Sequence, residues 1–148
     1  VRHSRIKKLL IANRGEIARR IIRACKKLSI ETVLVASDPD RDALAAVEAD
    51  HVVPLPGSTA RETYLNQTRI IEAARDSGCD AVHPGYGFLS EDGDFAQAVL
   101  DAGLVFVGPS PASIRSLGVK TTARTTVSQA GVPVTPGSFA AGSNEELS

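Results

Sequence analysis

The stretch His83-Pro-Gly-Tyr-Gly-Phe-Leu-Ser-Glu91 holds the residue types best suited to meeting a ligand. Gly85 and Gly87 flank Tyr86, so backbone can approach a bound molecule closely while the tyrosine presents a flat, amphipathic ring. Glu91 follows near an expected helix start, where the partial positive charge of the helix end favours a carboxylate. Together these read as a ligand-facing loop, with a plain structural loop as the alternative. A second segment, Ala12-Asn-Arg-Gly-Glu-Ile17, joins a strand end, a turn and a helix N-terminus, a corner that suits an anion. A dinucleotide fingerprint would need further glycines beside Gly15, so NAD binding is not expected. The other reading of this corner is a tight turn that starts the helix, with Arg14 helping to hold it.

The remaining composition narrows the class. The chain has 148 residues, 43% hydrophobic and 23% charged, enough for one domain with a proper core. Aromatic residues make up only 4%, so aliphatic side chains must fill that core. No apolar run approaches the roughly 20 residues of a membrane span, and Val1-Arg2-His3-Ser4 lacks the apolar stretch of a secretory signal. The absence of methionine reads as a processed or trimmed start. Residues 1–30 carry ten Lys or Arg and one acid, a charge of +9, and residues 31–148 carry seven and sixteen, a charge of −9. The basic end reads as a solvated helix face or a subunit contact. Nucleic-acid binding is not expected, because no aromatic stacking platform is interleaved with the charges. Cys25 and Cys79 have no metal-ligand spacing and read as reduced structural residues of a cytoplasmic protein.

The elements that must position these segments follow from hydrophobic periodicity. Strands are expected at 8–12, 32–36, 51–55, 80–83 and 104–107, with helices at 16–28, 43–49, 67–77, 90–102, 112–117 and 120–130. Ser37 to Asp40 and Ser90 are the expected caps of the second and fourth helices, and Pro111 suits a first helical position. In the first helix Ile17, Ala18, Ile21, Ile22, Ala24, Cys25 and Leu28 share one arc, and Glu16, Arg20, Arg23 and Lys27 the other. Phe95, Val99 and Leu100 share a face of the fourth. Pro54 places the third strand at a sheet edge or strand end. Residues 131–137 read as extended and 138–148 as a linker. The β-α alternation predicts a doubly wound, mainly parallel open α/β sheet with helices on both faces. Ligands of such sheets gather outside the carboxyl ends of the strands, where both chemistry-bearing segments fall.

The segments LLIANRGEIARRIIRACKKL, YLN, DAVHPGYGFLSE, FVGPSPASIRSLG and AGVPVTPGS, in this order, resemble the start of a biotin carboxylase. The resemblance runs from Ile6 to Ser138. It implies a Rossmann-like leading domain over 1–118 and a linker over 119–148 toward an ATP-grasp domain. In that family ATP and bicarbonate give carboxyphosphate with Mg2+ bridging the phosphates, and carbon dioxide passes to biotin on a separate carrier domain. The partners implied are the ATP-grasp and C-terminal domains, the biotin carboxyl carrier domain and a second copy in a homodimer.

The resemblance places Tyr86 and Gly87 beside biotin, Glu91 at the edge of that site, Lys120 on ATP phosphates and Arg23 at a subunit interface. Lys120 is otherwise a solvated helix lysine. Three positions depart from the family's pattern: Val119 stands where an aspartate is usual before the lysine, Lys27 where an acid is common, and Asp92 where asparagine is frequent. No metal ligand and no catalytic residue is assigned here, and the lid loop and metal-binding glutamates of the ATP-grasp domain are absent. The expectation is therefore a chain without carboxylase activity by itself. Two other readings stand beside this one: the leading domain of another ATP-grasp ligase, and a free-standing non-catalytic module that binds a carboxylase subunit or a nucleotide.

Overall fold

The computed structural model describes residues 5–118 and 120–133, with only the backbone described at residues 120–122 and 126. Val119 and the segment 134–148 lie outside the described residues, so the expected linker segment 138–148 and most of the expected extended run 131–137 fall there too. Among the described residues five strands form one parallel sheet: β1 (Lys8–Ile11), β2 (Glu31–Ser37), β3 (His51–Leu55), β4 (Ala81–His83) and β5 (Val105–Phe106), in the order β3-β2-β1-β4-β5. Six helices connect and cover them: α1 (Gly15–Leu28), α2 (Leu44–Glu48), α3 (Gln67–Asp76), α4 (Gly93–Asp101), α5 (Pro111–Gly118) and α6 (Lys120–Gln129).

A parallel sheet covered on both faces needs strands that are apolar on both sides. The central strands meet that need. Leu9, Leu10 and Ile11 of β1 and Val33, Leu34, Val35 and Ala36 of β2 are all buried. Their alternation builds two cores. Leu10, Val33, Val35 and Val82 pack with Ile70, Ala74, Phe95 and Val99 of α3 and α4, while Leu9, Ile11, Leu34 and Ala81 pack with Ala18, Ile22 and Cys25 of α1 and Ala45 of α2. The chain thus winds outward from β1 to β3 over one face. It then returns through α3 to β4 and β5 over the other. The direction reverses between β1 and β4, and the loops that follow these two strands meet at that switch point.

Pro54 lies in β3, one of the two edge strands, which meets the expectation of a sheet edge or strand end. Several local expectations are corrected. α4 starts at Gly93 instead of after Ser90, because the Asp92 carboxylate accepts from the backbone N–H groups of Asp94 and Phe95, both at 2.9 Å. Ser90 instead sits in a turn, its N–H donating to the Gly87 carbonyl. Leu100 is exposed, since it stands a further 100° around the helix from Val99. On α1 the buried stripe is Ala18, Ile21, Ile22 and Cys25, and Ala24 and Leu28 face outward. Ser37 and Asp40 do not cap α2; they bond to each other at 2.7 Å across a 3-10 turn over Asp38–Asp40. The last strand is short, and its Val105 is exposed at the sheet edge.

Both cysteines are free and buried. Burial pushes the Cys79 thiol up to about 11 and raises Cys25 as well, with the Asp50 carboxylate adding to the latter, so both stay protonated fillers of the core. Among the described residues no helix is long and apolar enough to cross a membrane.

Candidate functional site

The loop after β1 and the loop after β4 are joined by one side chain. Asn13 is 1% exposed, and its Nδ2 donates to the carbonyls of Pro84 at 2.7 Å and Tyr86 at 2.9 Å. Its Oδ1 accepts from the Arg14 backbone N–H at 2.9 Å. A buried amide with its partners in place is a rigid strut, because any displacement strands polar groups away from water. Gly85 makes the approach possible. It has φ +69°, and a Cβ there would lie 2.7 Å from Asn13 Nδ2 and 2.8 Å from Ile17 Cγ2.

His83 sets the start of the turn. Its Nδ1 accepts the Gly85 N–H at 2.9 Å, and burial holds the imidazole below its ordinary value, which keeps that nitrogen available as an acceptor. Beyond the turn, Gly87 has φ +68° with nothing within 4 Å of an added Cβ, so space above its backbone is open. Tyr86 beside it is 68% exposed. Tyr86, Gly87 and Phe88 line one wall of a cleft of about 430 Å³ whose other wall is Asn13, Arg14 and Gly15.

A second network braces the far side of this cleft. Asp40 Oδ2 accepts from Ser37 Oγ at 2.7 Å, Tyr64 Oη at 2.8 Å and Arg14 Nη1 at 3.4 Å. Partial burial opposes ionisation of Asp40, but the bonds from Ser37, Tyr64 and Arg14 outweigh it and hold the carboxyl below its usual range. Burial pushes the Tyr64 hydroxyl up, so it stays a donor.

The residues singled out in the sequence fall into three places. Tyr86 and Gly87 share the first cleft. Glu91 lines a neighbouring depression of about 430 Å³ with Asp92, Asp94 and Arg115, and Phe88 forms the ridge between the two. Arg23 lies apart on the exposed face of α1, its guanidinium 3.9 Å from Glu48 of α2, which also pairs with Arg19. Lys120 is the first residue of α6. Sequence reasoning missed the bracing set of Asn13, Asp40, Tyr64 and Phe88. Its one available signal was a polar residue at the carboxyl end of an apolar strand, Asn13. Among the described residues no group of three or more His, Cys, Asp or Glu could hold a metal ion.

Fold and site together define a Rossmann-like α/β domain with a glycine-rich loop braced at its switch point. The sequence profile described as "Biotin carboxylase, N-terminal domain" matches residues 5–114. The chain therefore belongs to the biotin carboxylase family as its N-terminal domain, which decides against another ATP-grasp ligase. It is 53% identical over 133 residues to biotin carboxylase 1 of Bacillus subtilis, covering 90% of this chain and 30% of that protein. The biotin carboxylase domain of a single-chain bacterial carboxylase superposes with TM-score 0.89 at 44% identity, covering 95% of this chain and 32% of that one. The dimeric biotin carboxylase domain of Hydrogenobacter thermophilus 2-oxoglutarate carboxylase, solved with MgADP, ADP and bicarbonate, gives TM-score 0.87 at 42% identity over 93% of this chain and 30% of that one. The chain thus spans about a third or less of the proteins it matches.

Proposed function

We propose that this chain supplies the biotin-facing loop of an ATP- and bicarbonate-dependent biotin carboxylase. The observation that carries the reading is the strut from Asn13 to Pro84 and Tyr86, which locks the two family segments into one edge. That edge offers an exposed ring at Tyr86 and open backbone at Gly87, a surface on which a flat, uncharged heterocycle fits. When bound, biotin supplies the ureido nitrogen that accepts carbon dioxide, and Mg2+ neutralises the phosphates of ATP.

The chain's own residues bind and orient. Tyr86 covers one face of the ligand, Gly87 lets it approach the backbone, and Glu91 supplies a carboxylate at the rim. Lys120 gives a point charge to the ATP phosphates. Arg23 meets a second subunit from the exposed face of α1. We assign residues 1–118 to the domain and 119–148 to a linker toward an ATP-grasp domain, which with a C-terminal domain supplies the magnesium ligands and the remaining walls of the site. The biotin carboxyl carrier domain brings the substrate. Two reduced, buried thiols suit the cytoplasm.

The test is a chimera in which this chain replaces the matching domain of a biotin carboxylase, assayed for biotin-dependent ATP cleavage beside the isolated chain. The chimera should turn over and the isolated chain should not. Tyr86→Ala should raise the KM for free biotin about tenfold, the loss expected for about 1.4 kcal/mol of ring contact, with a smaller change in the KM for ATP. An unchanged KM for biotin sinks the loop assignment, and cleavage by the isolated chain sinks the division of labour.

A further inference from the structure

Phe88 has φ +44°, a left-handed conformation that costs a non-glycine residue stability and persists only where its surroundings impose it. The residue directly follows Tyr86 and Gly87, so whatever imposes that conformation also aims the loop. Its ring stacks on Tyr64 with centroids 5.0 Å apart and planes 21° apart. The Arg14 guanidinium carbon lies 5.6 Å from the Tyr64 centroid and 5.6 Å from the Phe88 centroid, so one cation spans both rings. The same guanidinium reaches Asp40 Oδ2, which Tyr64 Oη also contacts. Arg14 follows β1, Asp40 follows β2, Tyr64 precedes α3 and Phe88 follows β4. The circuit therefore closes across four separate loops at the carboxyl edge of the sheet.

We infer that Arg14 is a positioning residue: by spanning the Tyr64–Phe88 ring pair and pairing with Asp40, it holds Gly87 and Tyr86 in their ligand-facing orientation. The planar guanidinium is what the geometry uses. It lies over two rings and still directs an N–H at a carboxylate, which a compact ammonium cannot do at once. Arg14 also lines the cleft, but the effect inferred here passes through Phe88. The inference rests on the reading of the Tyr86–Gly87 loop as the biotin side only for its functional consequence.

The experiment has two arms that separate the inference from that reading. In the first, the 148-residue chain carrying Arg14→Lys or Arg14→Gln is followed by amide NMR and hydrogen exchange. The expected result is displaced Tyr86, Gly87 and Phe88 signals and Ser90 amide exchange faster by about fivefold, with the Val33 and Val82 strand amides unmoved. Tyr64→Phe, which keeps the ring and deletes the hydroxyl contact to Asp40, should displace the same loop signals by less. Unmoved loop signals in Arg14→Gln, or equal displacement in loop and strands, overturn the inference. In the second arm the chimera carrying Arg14→Lys should show a raised KM for biotin with kcat within about twofold. A loop that moves in the first arm with no change in biotin KM upholds Arg14 as positioning residue and overturns the biotin reading.

Discussion

Asn13 and Pro84 stand 71 positions apart in the chain, yet the carboxamide of one donates to the carbonyl of the other at 2.7 Å in a buried site. Replacing Asn13 with alanine leaves two carbonyls and the Arg14 N–H without that partner. Asn13→Ala should cost about 2–3 kcal/mol in urea-unfolding free energy. Asn13→Asp should cost at least as much at neutral pH, because a carboxylate oxygen would then face two carbonyls.

Gly85 and Gly87 share nearly the same backbone, φ +69° and +68°, but not the same surroundings. Gly87→Ala should lose about 1 kcal/mol, the cost of a Cβ in left-handed backbone. Gly85→Ala adds the collision with Asn13 and Ile17, and should lose about 2–4 kcal/mol. Parallel denaturation curves of the two variants check the difference.

Asp92 both caps α4 and accepts from Gln67 Nε2 at 2.8 Å. Asparagine caps a helix as well as aspartate does. In Asp92→Asn the remaining oxygen keeps the cap and Gln67 turns its amide to accept from the new NH2, so the variant should stay within about 0.5 kcal/mol of the parent, whereas Asp92→Ala should lose about 1–2 kcal/mol. Thermal unfolding of both variants decides it.

Acid should weaken the fold in two stages. His83 is held below its ordinary value by burial, so its contribution is present above the unfolded imidazole value and is lost as pH falls through the folded one. Asp40 is held down by Ser37, Tyr64 and Arg14 against the cost of burial, and Asp50 by its bonds from Thr32. Their contribution is complete above the ordinary aspartate value and disappears as pH drops through the lower folded values. Melting temperatures across about pH 3–7 should fall at the acid end, and Asp40→Asn should flatten that limb. An unaltered limb in Asp40→Asn would falsify the assignment.

The sheet was legible because its strands are short apolar runs punctuated by glycine and proline, and because Gly78 and Gly103 stop helices cleanly. Pro54 gave the edge. The ends of elements were less legible where two polar residues competed: Ser90 and Asp92 both suit a cap, and only the carboxylate reaches two N–H groups. The outward turn of Leu28 and Ala24 follows from α1 resting on β1 and β2 with only a narrow stripe in contact, a width that periodicity alone does not set. The bracing of the site was the least legible. Contacts such as Asn13 with Pro84, or Arg14 with Tyr64 and Phe88, join loops through side chains and leave no repeating pattern. Tyr86 and Gly87 were readable because their local composition is unusual in itself.

The placement of β4 beside β1 has a consequence for how the chain is made. β2 can pair onto β1, and β3 onto β2, as soon as they leave the ribosome, but Leu9 pairs on its other side with Ala81. Until that residue emerges, β1, with its run Leu9-Leu10-Ile11, is an open edge, a template for any other strand nearby. Synthesis at roughly 5–20 residues per second leaves that edge bare for several seconds. The docking of β4 that covers it is the same event that brings Pro84 to Asn13, so the β1 edge is closed and the site is assembled in one step.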